Sequence, residues 1–275
     1  MHIDAAPTHI TLVGCGKMGQ ALLEGWLNGP INAKFTIIDP NTAQNQENTP
    51  KTSYFSNVSE AKSALNSTKI VILAVKPQIM SNICAELKSH IAPDAAIISI
   101  AAGQTIANFE SYFFPNQPIV RTMPNTPAAI GKGMSVAIAN KHVRAGHKET
   151  AEALLTCAGK VEWIQDENLL DAVTAISGSG PAYIFHLIEI LAQSGEKAGL
   201  SPSLATTLAR QTVIGAAALA ESTPEMDATT LRENVTSPGG TTAAALEILM
   251  NGEWQDIFDR AINAAKQRGI ALREN

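Results

Sequence analysis

Gly14-Cys15-Gly16-Lys17-Met18-Gly19 is the segment that most restricts how this chain folds. It obeys Gly-x-Gly-x-x-Gly, a spacing of little weight by itself. Its weight comes from the flanks. His9–Gly14 (HITLVG) reads as a strand, and Lys17–Leu27 as a helix stopped by Gly29-Pro30. A strand that runs through three glycines into a helix is the phosphate cradle of a dinucleotide-binding βαβ unit. Gly14 permits the tight turn, Gly16 lets the backbone approach a pyrophosphate, and Gly19 lets helix and strand pack closely. Free N–H groups at the helix start then face the phosphates. A second strand, Phe35–Asp39, carries Asp39 about 20 residues beyond Gly19, where a ribose-binding acid belongs. A carboxylate there favours NAD and repels a 2′-phosphate, and no Arg or Lys follows until Lys51. The competing reading of Asp39 is a turn-former ahead of Pro40-Asn41.

The alternation continues. Lys69–Val75 (KIVILAV) is a strand apolar along nearly its whole length, as one covered on both faces must be. Pro77–His90 is helical, and Ala95–Ala101, Ile119–Thr122 and Met134–Ala139 supply further strands, with Asn41–Lys51 a polar loop. Strand–helix alternation of this kind predicts an α/β, Rossmann-like, doubly wound parallel sheet. The pattern changes near Trp163, after which only helices are expected: Pro181–Ala198, a helix opened by Ser201-Pro202 and running to about Glu221, Asp227–Asn234, Thr241–Met250, and a last one in which Trp254, Ile257, Phe258, Ala261, Ile262 and Ala265 keep helical spacing. The expected organisation is a dinucleotide-binding domain over 1–164 and an all-helical domain over 165–275.

The 275 residues suit two such domains. Only 16% are charged, against about 25% in an average soluble domain, which points to subunit interfaces. The net charge of −5 gives no support to a nucleic-acid or anionic-membrane partner. Cys15, Cys84 and Cys157 form no Cys-x-x-Cys pair and fit a reducing compartment. His142 and His147 are not spaced to share a helix face, so no metal site is expected. No apolar run reads as a membrane span, and Met1-His2-Ile3-Asp4 does not read as a signal peptide. The expected location is the cytoplasm.

Ligands of open α/β sheets bind outside the carboxyl ends of the strands. Ala74-Val75-Lys76-Pro77 and Ile100-Ala101-Ala102-Gly103 are expected at such ends, with room for a flat ring beside the alanines and Lys76 free to reach a ribose or phosphate. In Arg121–Pro127, two prolines stiffen a loop from which Asn125 could meet substrate or carboxamide. Farther on, Ser177-Gly178-Ser179-Gly180-Pro181 and Ser237-Pro238-Gly239-Gly240-Thr241-Thr242 each read as a glycine loop entering a helix, with free N–H groups for an anion. Ordinary N-capping by Ser and Thr is the alternative. No nucleophile–base set is visible, so the chemistry belongs to the cofactor.

Taken in order, GCGKMG, AVKP at Ala74–Pro77, MPNTP at Met123–Pro127, SGSGPAY at Ser177–Tyr183 and VTSPGGTTAAAL at Val235–Leu246 resemble the pyrroline-5-carboxylate reductase family over essentially the whole chain. The resemblance implies a Rossmann domain with a helical dimerisation domain, a homodimer or a decamer built as a pentamer of dimers, and reduction of L-1-pyrroline-5-carboxylate to L-proline by NADPH or NADH. It implies that Val13, Gly14, Cys15, Gly16, Lys17 and Met18 hold the pyrophosphate, and that Asn57, Ala74, Val75, Lys76, Pro77, Ile100, Ala101 and Ala102 line the cofactor. Asn234 is a further cofactor contact. Thr241 and Thr242 would hold the substrate, with Ser237, Gly239 and Gly240 near its carboxylate and Glu167 as a substrate-contacting acid. Thr242 is the residue expected to hydrogen-bond the ring nitrogen. Many family members carry Ser, Thr or Arg around the ribose site and prefer NADPH, whereas this chain has Asp39-Pro40-Asn41. A β-hydroxyacid dehydrogenase type of reductase would need a lysine on the first long helix of the second domain, and Tyr183–Gln193 has none. A dinucleotide sensor without turnover would have lost the SPGGTT loop.

Overall fold

The computed structural model describes residues 7–273, so the reading made on Met1–Asp4 lies outside the described residues. The elements in order are β1 (Thr8–Val13), α1 (Lys17–Asn28), β2 (Ala33–Ile38), β3 (Thr52–Phe55), α2 (Lys62–Leu65), β4 (Ile70–Leu73), α3 (Pro77–Lys88), β5 (Ala96–Ser99), α4 (Ile106–Tyr112), β6 (Ile119–Met123), β7 (Gly133–Ala139), α5 (Ala145–Thr156) and β8 (Gly159–Trp163). Helices follow: α6 (Leu170–Val173), α7 (Gly180–Lys197), α8 (Pro202–Ser222), α9 (Ala228–Asn234), α10 (Thr241–Leu249) and α11 (Glu253–Arg273).

The strands form one eight-stranded sheet in the order β3-β2-β1-β4-β5-β6-β7-β8. All pairs are parallel except β6–β7. The Pro124–Lys132 connection explains the exception, since a parallel crossover needs roughly a dozen residues or more. The strands are apolar on both faces because helices cover both. Ile10, Leu12, Ile37, Ile72 and Ile98 enter one core with Leu22 and Trp26 of α1 and Leu154 of α5. Their neighbours Val13, Ile38, Val71, Leu73 and Ile97 enter the other with Met80 and Leu87 of α3 and Phe109 of α4. Trp26 stacks on Phe35 at 5.5 Å between ring centroids, and its indole N–H donates to Leu154 O at 2.8 Å.

The chain divides into two compact units. One runs through Gly178 and includes the chain from Lys266 onward; the other is Ser179–Ala265. This division falls later than the 164/165 boundary read from the sequence, because the segment after β8 is fastened to the sheet. Arg121 on β6, fully buried, donates to Glu167 Oε1 at 2.8 Å, and Arg273 Nη2 lies 2.6 Å from Asp171 Oδ2. In the helical unit, α7 and α8 meet on small residues. Ala192, Ala205 and Ala209 are buried, and a Cβ on Gly195 would stand 3.2 Å from Ala205 Cβ.

Ser177–Pro181 is not a loop. A π-helical turn over Thr174–Gly178 carries the chain almost directly into α7, so no free helix start exists there and the anion site expected at this point is withdrawn. The resulting helical run, 167–197, is long and apolar enough by length and composition to cross a membrane, its 18-residue apolar window having a mean hydropathy of 1.2. The sequence reading had cut that run at its glycines. Much of its apolar surface is uncovered in the single chain, including Ile184, Phe185, Ile190 and Leu191.

Candidate active site

Because β1 to β5 are all parallel, the segments that follow them emerge at one edge. These are the glycine turn after β1, Asp39 after β2, Ser56-Asn57 after β3, Ala74–Pro77 after β4 and Ile100–Gly103 after β5. The chain reverses its winding direction between β1 and β4, the place where an open sheet of this type takes its ligand.

The glycine turn divides its work as the sequence implied. Gly14 has φ +89°, and a Cβ there would stand 2.7 Å from Ala74 O. A Cβ on Gly19 would run into the carbonyl oxygen of Gly14. Gly16 differs from both. It is the N-cap of α1, with φ −70° and ψ −169°, it is exposed, and a Cβ would meet nothing within 4 Å. The first amides of α1 therefore open onto bare space with no side chain capping them. That is the shape a pyrophosphate needs, and the residues present fit a dinucleotide. Val13 is buried and Met18 packs on the core, so Val13 offers only its backbone. Cys15 is half-buried, and burial first, with Asp39 and Glu24 adding to it against a hydrogen bond to Thr42, pushes its thiol pKa up.

Asp39 is more heavily committed than a free ribose acid. Its Oδ2 accepts the Cys15 N–H at 2.9 Å, and its Oδ1 accepts those of Asn41 at 2.9 Å and Thr42 at 3.0 Å. It thus ties the glycine turn to the end of β2 and is also the turn-former of the competing reading. Asn57 is exposed and exchanges hydrogen bonds with Glu60, its Nδ2 donating to Oε1 at 2.8 Å and its Oδ1 accepting the Glu60 N–H at 3.0 Å. Lys76 is exposed at the N-cap of α3, with Pro77 opening the helix. Of the alanines after β5, Ala101 is buried and Ala102 exposed.

Two residues read as ligand contacts also brace the sheet unit. Asn125 donates through Nδ2 to Ser177 O at 3.0 Å and accepts the Met134 N–H on Oδ1 at 2.8 Å, which ties both ends of its amide to backbone. Glu167 Oε1 accepts both Arg121 and the Ile106 N–H, each at 2.8 Å. The sequence offered no sign of the Arg121–Glu167 pair, which lies 46 residues apart along the chain.

In the helical unit, α10 begins as expected. Gly239 has φ +68°, Gly240 is the N-cap, and Gly240 N–H closes a turn on Ser237 O at 3.0 Å. No side chain caps α10, and the Thr242 hydroxyl makes no hydrogen bond among the described residues. This removes the plain capping role as an explanation of Thr242. Thr241 and Ser237 are exposed and Thr242 half-exposed. Asn234, at the end of α9, is exposed, with only Met226 Sδ at 3.9 Å. Among the described residues, no group of three His, Cys, Asp or Glu side chains could hold a metal ion.

A doubly wound sheet with an open pyrophosphate cradle, joined to a helical unit, defines a dinucleotide-dependent oxidoreductase. Residues 9–103 match the family model described as NADP oxidoreductase coenzyme F420-dependent, and 167–272 match pyrroline-5-carboxylate reductase dimerisation. The pyrroline-5-carboxylate reductase of Pseudomonas aeruginosa is 39% identical, over 96% of this chain and 97% of that protein. That of Haemophilus influenzae is 36% identical, over 94% and 95%. Among solved structures, a Coxiella burnetii pyrroline-5-carboxylate reductase superposes with TM-score 0.87 at 32% identity, over 96% of this chain and 98% of that one. The Plasmodium falciparum pyrroline carboxylate reductase with NADP bound gives 0.81 at 29% identity, over 98% and 100%. The chain belongs to the pyrroline-5-carboxylate reductase family.

Proposed function

We propose that this chain reduces L-1-pyrroline-5-carboxylate to L-proline, the last step of proline biosynthesis, with Thr242 as the residue that holds the reacting imine. The observation that carries the residue assignment is the start of α10. Its first amides have no intrahelical acceptor, its hydroxyls are not spent on capping, and Gly239, where a Cβ would meet nothing within 4 Å, leaves the backbone open to an approaching carboxylate.

The reduced nicotinamide cofactor supplies the hydride. What remains for the protein is placement and proton control. The amides at the start of α1 bind the pyrophosphate, and the ends of β4 and β5, with Ala74 and Ala101, give a flat ring a small-residue wall. The amides and hydroxyls of Ser237–Thr242 hold the substrate carboxylate. The Thr242 hydroxyl accepts the N–H of the protonated imine and fixes its orientation. A threonine hydroxyl is a poor acid at neutral pH, so Thr242 orients the imine and relays a proton without ionising.

The apolar surface of the helical unit and the low charge of the chain support a homodimer formed through that unit, or a decamer of such dimers. They fit a cytoplasmic protein with a small-molecule substrate and no nucleic-acid or membrane partner. Proline-dependent reduction of NAD⁺ or NADP⁺ at alkaline pH tests the activity. Turnover with L-proline is expected, and turnover with 3-hydroxy acids but not proline would place the chain with the other reductase class.

A further inference from the structure

We propose that the last turn of α11 is a strut for the nicotinamide side of the site: Arg273, paired with Asp171, seats that turn against Gly103 and so positions the 100–105 loop. The proposal rests on the reading of that loop as part of the cofactor wall. Every residue it uses belongs to the sheet unit, which takes in the chain from Lys266 onward.

Two glycines mark close approaches to this turn. At Gly269 a Cβ would stand 3.1 Å from Asp171 Oδ1 and 3.5 Å from Asp171 Cβ. Gly103 has φ +74°, and a Cβ there would stand 3.1 Å from Leu272 O. The last turn of α11 is therefore held between α6 on one side and the loop after β5 on the other. Arg273 lies one helical turn beyond Gly269, on the same face. Its Nη2 is 2.6 Å from Asp171 Oδ2, an ion pair without the alignment of a hydrogen bond. Asp171 is buried, so the pair is little screened by salt. Leu272 O is among the last carbonyls of α11, which have no intrahelical donor, and the ion pair keeps it against Gly103.

The loop is fixed at its ends. It leaves β5 with the Ile100 N–H donating to Leu73 O at 3.1 Å and the Ala101 N–H to Ser99 Oγ at 3.2 Å. It enters α4 at Thr105, whose Oγ1 accepts the Asn108 N–H at 3.1 Å. Glu167 Oε1 then accepts the Ile106 N–H at 2.8 Å. Glu167 and Asp171 stand four residues apart on one helical run, the spacing that puts two side chains on one face. One carboxylate thus holds the loop directly, and the other holds it through α11. Ala102 and Gly103, between the fixed ends, are placed by what packs on Gly103. The pyrophosphate cradle follows β1 and uses none of these residues. Loss of the strut therefore leaves the cradle intact and shifts the wall at the nicotinamide end, where a displacement of about 1 Å costs up to roughly a hundredfold. Arg273 acts through Gly103, as a positioning residue.

ADP-ribose separates the two ends of the cofactor, because it carries the pyrophosphate and lacks the nicotinamide. The test is calorimetric titration of the full-length protein with NADH, NADPH and ADP-ribose, for wild type, Arg273→Met, Arg273→Lys and Asp171→Asn. Arg273→Met and Asp171→Asn should weaken the reduced cofactors by about tenfold or more and leave ADP-ribose within about twofold of wild type. Arg273→Lys keeps the charge and should restore most of the loss. Arg273→Met leaves a buried carboxyl group without its cation, so thermal melts establish that it is folded. Asp171→Asn leaves no such group and keeps the packing against Gly269, and it decides if Arg273→Met does not fold. Equal weakening of reduced cofactor and ADP-ribose marks a merely structural role and overturns the proposal. So does an unmoved reduced-cofactor affinity in a folded variant, or the failure of both variants to fold. Rates with pyrroline-5-carboxylate separate the two readings: wild-type turnover with cofactor affinity unmoved in the variants defeats the strut alone, whereas the predicted binding pattern without turnover defeats the proposed reaction alone.

Discussion

Gly14 and Gly16 lie two residues apart in one turn, yet the structure assigns their substitution opposite consequences. In Gly14→Ala the new Cβ stands 2.7 Å from Ala74 O and 2.9 Å from Val75 Cγ1, on a backbone at φ +89°. The left-handed conformation costs an L-residue about 1–2 kcal/mol, and overpacking against a strand end adds about 1–3 kcal/mol. The expected loss is about 2–5 kcal/mol, a fall in Tm of roughly 5–15 °C for a chain of this size. In Gly16→Val the Cβ meets nothing within 4 Å and φ is −70°. Only the weaker N-cap propensity of valine remains, about 1 kcal/mol or less. The same open space is where the pyrophosphate must come within hydrogen-bond distance of the backbone, so a branched side chain there should abolish NAD(P)H binding. Differential scanning fluorimetry and fluorescence titration on both variants separate the effects. Normal cofactor affinity in Gly16→Val, or a normal melting temperature in Gly14→Ala, would refute the reading of the turn.

Other consequences follow from the same geometry. Thr242→Ala should cost about 1.5–3 kcal/mol of transition-state binding, or roughly 10–200-fold in kcat/KM, with an unchanged melting temperature and retained activity in Thr242→Ser; a loss under threefold removes the role given to it. Glu167→Ala strands the buried Arg121 guanidinium and should cost about 2–4 kcal/mol in denaturant unfolding, and Glu167→Gln less; a stable Glu167→Ala protein would show that Arg121 is paired elsewhere. The Asp39 carboxyl is held below its unfolded value, so its contribution to stability is present above about pH 4 and is lost as pH falls through the lower, folded value. Asp39→Asn should therefore flatten the acid side of the pH–stability curve, and an unchanged acid limb would show that the amide bonds do not favour the ionised form. Light scattering should give a mass of at least twice 29.0 kDa, and an active monomer would contradict assembly through the helical unit.

The glycine turn was legible because its signals are local: strand, glycines and helix follow one another, and the structure keeps all three in order. The start of α10 was legible for the same reason. Other features have no local signal. β3 (Thr52–Phe55) is a short strand after a polar loop, and β8 (Gly159–Trp163) is an edge strand whose residues are nowhere fully buried, so neither shows an apolar run. The antiparallel β6–β7 pair could have been read from its short connection. Gly178 and Gly180 read as a loop because glycine ends helices in general, whereas here one lies at the end of a π turn and the other at the start of α7. Partners distant in sequence were out of reach altogether. Nothing local to Glu167 announces Arg121, and nothing local to Asp39 announces the Cys15 amide that commits its carboxylate.

The central claim is that the chain reduces a cyclic imine with a reduced nicotinamide cofactor. Its most direct test is the initial rate of NADH and NADPH oxidation by the purified protein with L-1-pyrroline-5-carboxylate, with the product identified by chiral chromatography. The account predicts substrate-dependent oxidation that yields L-proline in equal amount to the cofactor consumed, and its loss in Gly16→Val. Cofactor binding with no pyrroline-5-carboxylate-dependent oxidation by either nucleotide would contradict it.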